Sequence, residues 1–345
     1  MTDASAKQND TTAGLVRIAV VITPCSKQRE LRALIVSAAE NAGYVWRDDE
    51  KFVGELSADS ERRVLLLCSD PSLLDGIELN QAVVIFGAPG SGAQSTCEAE
   101  GLSYRDGVIY TARHLALATE FVRRMPEAKV VLWDEGLESR AVGFASVFAQ
   151  LDLTISPQQF AQLISTSPDS AQTGYSDQRW SGQSSAAAAA LSIYRYGLPQ
   201  PGDSSWWGRE LFYASTPGWE CPEAVDITGR ARVLIWGPYV ALPAGRWLAK
   251  ARFKLSDGAA KRHYIFEFVT NEQPIKSRYI WPTLDGAYEV TVEGLLPSAA
   301  VAEIRISVGA AALHGNIHLD GISIEYLGAG IDDGDRRPDS PHKAD

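Results

Sequence analysis

Sulfur is scarce in this chain of 345 residues, with two methionines and four cysteines. Cys25, Cys68, Cys97 and Cys221 are widely spaced and make no C-x-x-C pair, so neither a disulfide framework nor a zinc knuckle is implied. The five histidines form no H-E-x-x-H, which removes that zinc-hydrolase signature. No stretch approaches the roughly 18–20 consecutive apolar residues of a membrane-spanning helix. The apolar segment Leu15 to Ile22 is broken by Arg17 and has no small-residue cleavage site, so it reads as a buried strand and not as a secretory signal. Positive charge is also in short supply: Lys and Arg number 32 against 43 Asp and Glu, a formal charge of −11, with no long basic run. Nucleic acids and anionic membrane surfaces demand a basic footprint. The expectation is a cytoplasmic protein with no nucleic-acid partner and no membrane insertion.

What is present suggests two domains, since domains run to roughly 100–200 residues. Apolar residues make up 45% and charged residues 22%, a globular composition. Seven of the nine tryptophans lie between Trp180 and Trp281, so the two halves differ in kind. The expected organisation is a disordered N-terminus (1–14), a Rossmann-like α/β domain (15–150), a connector with short helices (151–204), a β-sandwich (205–327) and a disordered tail (328–345).

In the first half, short apolar runs at Val16–Thr23, Val64–Cys68, Ala82–Phe86 and Val130–Trp133 have the pattern of strands buried on both faces. Leu31, Leu34, Ile35, Ala38, Ala39 and Ala42 fall on one helical face, and Gly43 stands where a C-terminal cap belongs. A second helix is expected from about Ala112 to Met125, stopped by Pro126. Alternating strands and helices argue for a parallel sheet, and such sheets bind ligands beyond the carboxyl ends of their strands.

Three features at those ends are weighed. Gly87-Ala88-Pro89-Gly90-Ser91-Gly92 follows a strand and resembles a phosphate-binding loop, which makes Gly87, Gly90, Ser91 and Gly92 phosphate-binding candidates. The motif then requires Lys and Ser/Thr, but Ala93 and Gln94 stand there. ATP hydrolysis would need another cation such as Lys27 or Arg113. A tight turn needing positive φ is the plain alternative. Cys25 lies between a strand and a helix, where a thiol pKa is lowered. However, a C-x5-R phosphatase loop would need arginine at the position held by Leu31, and a structural cysteine is the simpler reading. Asp134 and Glu135 end a strand and are the weak catalytic candidates, as acid/base or metal-binding carboxylates. Solvated loop acids or a helix cap are their bland alternative.

The connector, rich in Ser, Gln, Thr, Gly and Pro, has two helical signals. One is Ser156-Pro157 leading into Gln158–Ile164, and the other is Ser185–Tyr196 ahead of Gly197. From about Asp226 the period becomes two. Trp247, Ala249, Ala251, Phe253 and Leu255 share a face, as do Tyr264, Phe266 and Phe268, then Tyr288, Val290 and Val292, then Ile304, Ile306 and Val308. In the last strand the parity slips between Ile317 and Ile322, with Gly321 at the slip, as a bulge requires. Short strands, each with one wet face, argue for an antiparallel sandwich or jelly roll.

The segment Trp236-Gly237-Pro238-Tyr239-Val240-Ala241-Leu242-Pro243-Ala244-Gly245-Arg246, with His318-Leu319-Asp320-Gly321-Ile322, resembles carbohydrate-binding-module-like jelly rolls attached to bacterial polysaccharide glycosyltransferases. The resemblance covers residues 205–327. It implies glycan binding in polysaccharide biosynthesis, with a glycan or a pathway protein as partner. Sugar sites pair a flat aromatic ring with polar side chains. The ligand-binding candidates are therefore Trp281, Tyr239, Arg278, Tyr279, His318 and Asp320. Trp247 is expected in the core and so is Trp236, while Trp281, before Pro282, is the candidate for exposure. No cofactor is expected and no metal site is assigned. A structural calcium could use Asp320, but no calcium loop exists. The alternative is a glycosyltransferase-like enzyme that places a sugar nucleotide, with a divalent metal, against Gly87–Gly92 and Asp134/Glu135.

Overall fold

The structure is a computed structural model, and it describes residues 16–25, 28–48, 63–133, 145, 147–151, 153, 185–215 and 220–330. The chain divides into two compact units: residues 1–88 with 121–174, and residues 89–120 with 175–345.

The first unit is built on five parallel strands, β1 (Val16–Ile22), β2 (Val45–Asp48), β3 (Arg63–Cys68), β4 (Gln81–Gly87) and β5 (Lys129–Trp133), in the order β2-β3-β1-β4-β5. Central β1 is flanked on both sides, so Ala19 to Ile22 are fully buried, in line with their unbroken apolar run. Helix α1 (Gln28–Asn41) buries Leu31, Ile35, Ala38 and Ala39, and Gly43 ends it at φ +78°. The sheet order differs from the dinucleotide-binding order, which sets the second strand beside the first. Here β3 takes that place.

The second unit contains helices α2 (Pro89–Glu100) and α3 (Tyr104–Arg124, which belongs to this unit through residue 120). Helix α3 begins eight residues earlier than its apolar pattern suggested. Ser103 caps it: the Ser103 hydroxyl accepts the Asp106 N–H at 3.2 Å and donates to the Asp106 carboxylate at 2.6 Å. Residues 185–190 are helical and a 3-10 turn follows at Ser192–Tyr194, while the expected helix at 158–164 and the acids Asp134 and Glu135 lie outside the described residues.

Two antiparallel sheets form the sandwich. The first runs β13 (Gly286–Leu296), β10 (Gly245–Ser256), β15 (Asn316–Gly328), β6 (Ser204–Gly208), with β8 (Val225–Asp226) also on β15. The second runs β12 (Gln273–Ile280), β11 (Tyr264–Thr270), β14 (Ala300–Val308), β9 (Arg232–Leu242), β7 (Tyr213–Ala214). Every parity read from the sequence is met: Trp247, Phe253, Phe266, Phe268, Ile304 and Ile306 are buried, and Phe253 meets Phe266 at 5.0 Å. The bulge is also present, since Arg252 pairs with Gly321 and Phe253 with Leu319, leaving Asp320 as the extra residue. Trp206 and Trp207 stand on strand β6. Trp207 points into the core and is fully buried, and Trp206 points outward.

Candidate functional site

The β11–β12 hairpin turns through Asn271 and Glu272, both at positive φ, as a two-residue turn requires. Its register sets Tyr279 opposite Ile265 on the outer face, while Phe266 and Phe268 face the core. Trp281, two residues past Tyr279, stacks on it with ring centres 6.3 Å apart and planes 24° apart. His263 also stacks against Trp281, at 6.2 Å and 30°. Trp281 is 67% exposed and Tyr279 52%. The three rings make a shelf open to solvent, and backbone holds both of its ends. Lys261 N–H donates to the Pro282 carbonyl at 2.7 Å, and Gly309 N–H to the His263 carbonyl at 2.9 Å. Gly309 is required there, because a Cβ would stand 1.7 Å from the His263 ring.

Arg278 belongs to the same strand as Tyr279 but to its opposite face, in register with Phe266. The hairpin therefore brings Tyr279 and Trp281 together and sends Arg278 elsewhere. Tyr239 forms a second group. A bulge in β9 turns it outward at φ +66°, where its ring lies 5.9 Å from Tyr213, which stacks on Trp236. Trp236 is half-buried on this outer face, not in the core as expected. Beneath the Tyr239 ring, Glu303 is buried and holds Arg305 through two hydrogen bonds of 2.8 and 2.9 Å. Burial first, and then the Glu303 charge, push the Tyr239 hydroxyl pKa up. Arg105 of α3 sits over Tyr213 at 4.0 Å and donates to the Glu210 and Phe212 carbonyls, so this cluster is largely engaged in packing.

His318 and Asp320 form a third group, on the other sheet. With Arg209, Glu223, Lys254 and Leu319 they line a groove of about 470 Å³. His318 Nε2 lies 3.0 Å from the Ser256 hydroxyl. The six ligand-binding candidates thus fall into separate places. Alternation gave their faces, but no sequence pattern told that the faces belong to different sheets.

After β4, the glycines of the 87–92 segment do not answer to turn geometry. The segment from Pro89 is helical, so Gly90, Ser91 and Gly92 stand in the first turn of α2, and none of Gly87, Gly90 or Gly92 has positive φ. This corrects the expectation of a turn. A Cβ on Gly87 would lie 2.3 Å from the Cys25 Cβ, and one on Gly90 2.9 Å from the Ala188 Cβ. Polar groups at the carboxyl ends of β1, β3 and β4 are bonded within the chain. Thr23 Oγ1 donates to the Ile85 carbonyl at 3.2 Å and accepts the Gly87 N–H at 2.9 Å. Gln28 donates to Ser69 Oγ at 3.1 Å, as does Arg32. Cys25 is buried in the core cluster beside Leu31 and Ile35.

Sequence reasoning missed His263 in the shelf and Lys254, Arg209 and Glu223 in the groove. For His263 a signal existed: it sits one residue ahead of the alternating run Tyr264-Phe266-Phe268 with the opposite parity. Among the described residues, no group of three or more His, Cys, Asp and Glu side chains could hold a metal ion, and no helix is long and apolar enough to cross a membrane.

No family model matches the chain, and no curated protein matches it. Several solved structures similar to it are carbohydrate-binding modules. The CBM36-1 domain of a multidomain xylanase, from the hindgut metagenome of Trinervitermes trinervoides, is 12% identical with a TM-score of 0.25, over 37% of this chain and 100% of that one. A family 16 carbohydrate-binding module is 14% identical with a TM-score of 0.22, over 36% and 84%. A mouse sulfotransferase complexed with PAP is 14% identical with a TM-score of 0.33, over 44% and 64%. The sandwich itself is defined by its own strand pairings.

Proposed function

We propose that this protein binds glycan through its β-sandwich, with Trp281, Tyr279 and His263 as the stacking platform. The observation that carries the reading is the exposed row of three stacked rings. Sugar rings present apolar C–H faces that pack on such surfaces, and aromatic side chains left in water without a packing role are the exception in a folded protein. The likeness to carbohydrate-binding modules supports the same reading. In the fuller proposal the protein is a cytoplasmic member of a bacterial polysaccharide-assembly pathway, and the parallel-sheet unit serves as a docking or regulatory part. The alternative of a sugar-nucleotide-dependent transferase has less support, because Gly90 to Gly92 are helical and the Gly87 surface is taken up by Cys25.

Calorimetric titration of the full chain with a panel of neutral and acidic oligosaccharides tests the proposal. A Trp281→Ala variant with unchanged circular dichroism is expected to weaken binding by about tenfold or more, as truncation of a central aromatic contact does. Unchanged affinity in that variant would overturn the platform.

A further inference from the structure

The outer face of the first sheet carries a second kind of chemistry. Along β10, the outward residues Arg246, Lys250, Arg252 and Lys254 alternate with the core. Across on β13, glutamates meet the first three: Arg246 with Glu293 at 3.3 Å, and Lys250 and Arg252 with Glu289 at 3.9 and 3.0 Å. At Lys254 the series breaks: it makes no ion pair among the described residues, with Ala287 beside it in register on β13 and His318 on β15. Lys254 therefore points its ammonium toward the groove, where Asp320 and Glu223 are also found. Neither of these carboxylates is ion-paired among the described residues, although cations line the same space. Arg209 is anchored from behind by the Cys221 carbonyl, which its Nη1 meets at 3.0 Å. Ser256 fixes the His318 ring.

Opposite charges thus line one groove without closing on each other, while Arg246, Lys250 and Arg252 on the same face are paired. The β15 bulge is the cause on one side: the extra residue is Asp320 itself, and bulges re-aim side chains in this way. Trp206 flanks the bulge. Its ring occupies the space a Gly321 side chain would take, since a Cβ there would stand 2.4 Å from the ring. The groove volume of about 470 Å³ lies within the roughly 300–1,000 Å³ of small-molecule sites.

We infer that this groove is a second ligand site, selective for a sugar residue bearing a carboxylate. The carboxylate would face Lys254 and Arg209, and the ring hydroxyls would donate to Asp320 and Glu223. A neutral sugar leaves the two cations without an anion, and a simple inorganic anion leaves the two carboxylates without donors. The inference deepens the glycan-binding reading but uses residues on the opposite sheet from the Trp281 shelf.

The test is titration of the full chain, followed by NMR or calorimetry, with glucuronate and galacturonate beside glucose, galactose and inorganic phosphate. The expected result is uronate binding at least tenfold tighter than the neutral sugars, retained in Trp281→Ala. It should fall at least tenfold in Lys254→Met and again in Asp320→Asn. Both positions are on the outer face, so circular dichroism should not change. Uronate binding indifferent to both substitutions would overturn the inference, and so would phosphate binding as tightly as uronate. Neutral oligosaccharides that bind through Trp281, with no uronate binding, would overturn the groove and leave the shelf standing. Loss of every sugar interaction would overturn both.

Discussion

The two units spend their polar side chains in opposite ways. At the carboxyl ends of the parallel strands, Thr23, Gln28, Arg32 and Ser69 bond to each other or to strand carbonyls, and Gly87 brings backbone against Cys25. On the sandwich, Trp281, Tyr279, Lys254 and Asp320 face solvent. A sheet topology with ligand-binding habits does not by itself make a site, because the groups that would meet a ligand can be consumed by the fold. Function is argued from unengaged side chains, not from fold class.

This contrast can be broken by substitutions that separate stability from binding. The largest effect is expected in the sandwich core. Trp247 is fully buried, its Nε1 donates to the Pro243 carbonyl at 3.0 Å, and its ring lies 4.8 Å from that of Tyr326. Trp247→Ala should cost about 3–5 kcal/mol in denaturant titration, and a loss under 1 kcal/mol would mean that the core is not organised around this ring. Next comes Gly87→Ala, whose added methyl meets Cys25 and the Pro24 carbonyl, both within 2.7 Å. A cost of about 1–3 kcal/mol is expected, with sugar affinity unchanged. A fall in affinity would tie the parallel-sheet unit to the site and dissolve the contrast. The smallest effect belongs to Glu293→Ala, which removes an exposed ion pair with Arg246. Exposed pairs contribute about 0–1 kcal/mol, so the midpoint should barely move. A large shift would show that the paired half of this face is structural.

Much of the fold was legible because burial writes itself as period. The alternation from Trp247 to Leu255 and the apolar run from Ile18 to Ile22 told one-faced from two-faced strands, and the parity slip at Gly321 placed the bulge next to its extra residue, Asp320. Helix α2 was hidden by Gly90 and Gly92, poor helix formers, the first of which stands where Ala188 leaves no room for a side chain. The start of α3 was hidden by Gly107, although the Ser103–Asp106 cap was there to be read. In that helix the missing Gly107 side chain makes room for the Cys97 sulfur. The candidate site was only half legible. Exposure of Trp281 follows from its place before a proline and outside the alternating run, but stacking with His263 depends on a hairpin register that local pattern does not encode. Nor could spacing reveal that Lys254 faces Ala287 where Arg252, two residues before it, faces Glu289.

The shelf is also assembled before any ligand arrives. Tyr279 and His263 both stack against Trp281, and main-chain hydrogen bonds fix the strand ends on which the rings stand. Association there gives up little side-chain freedom, so the entropy that usually opposes a weak surface contact is small. A surface that cannot reshape itself must also select by fit. Pyranose rings whose axial hydroxyls interrupt the apolar face should dock less well than those with a flat one, and the discrimination would be written in the ligand's stereochemistry and not in its length.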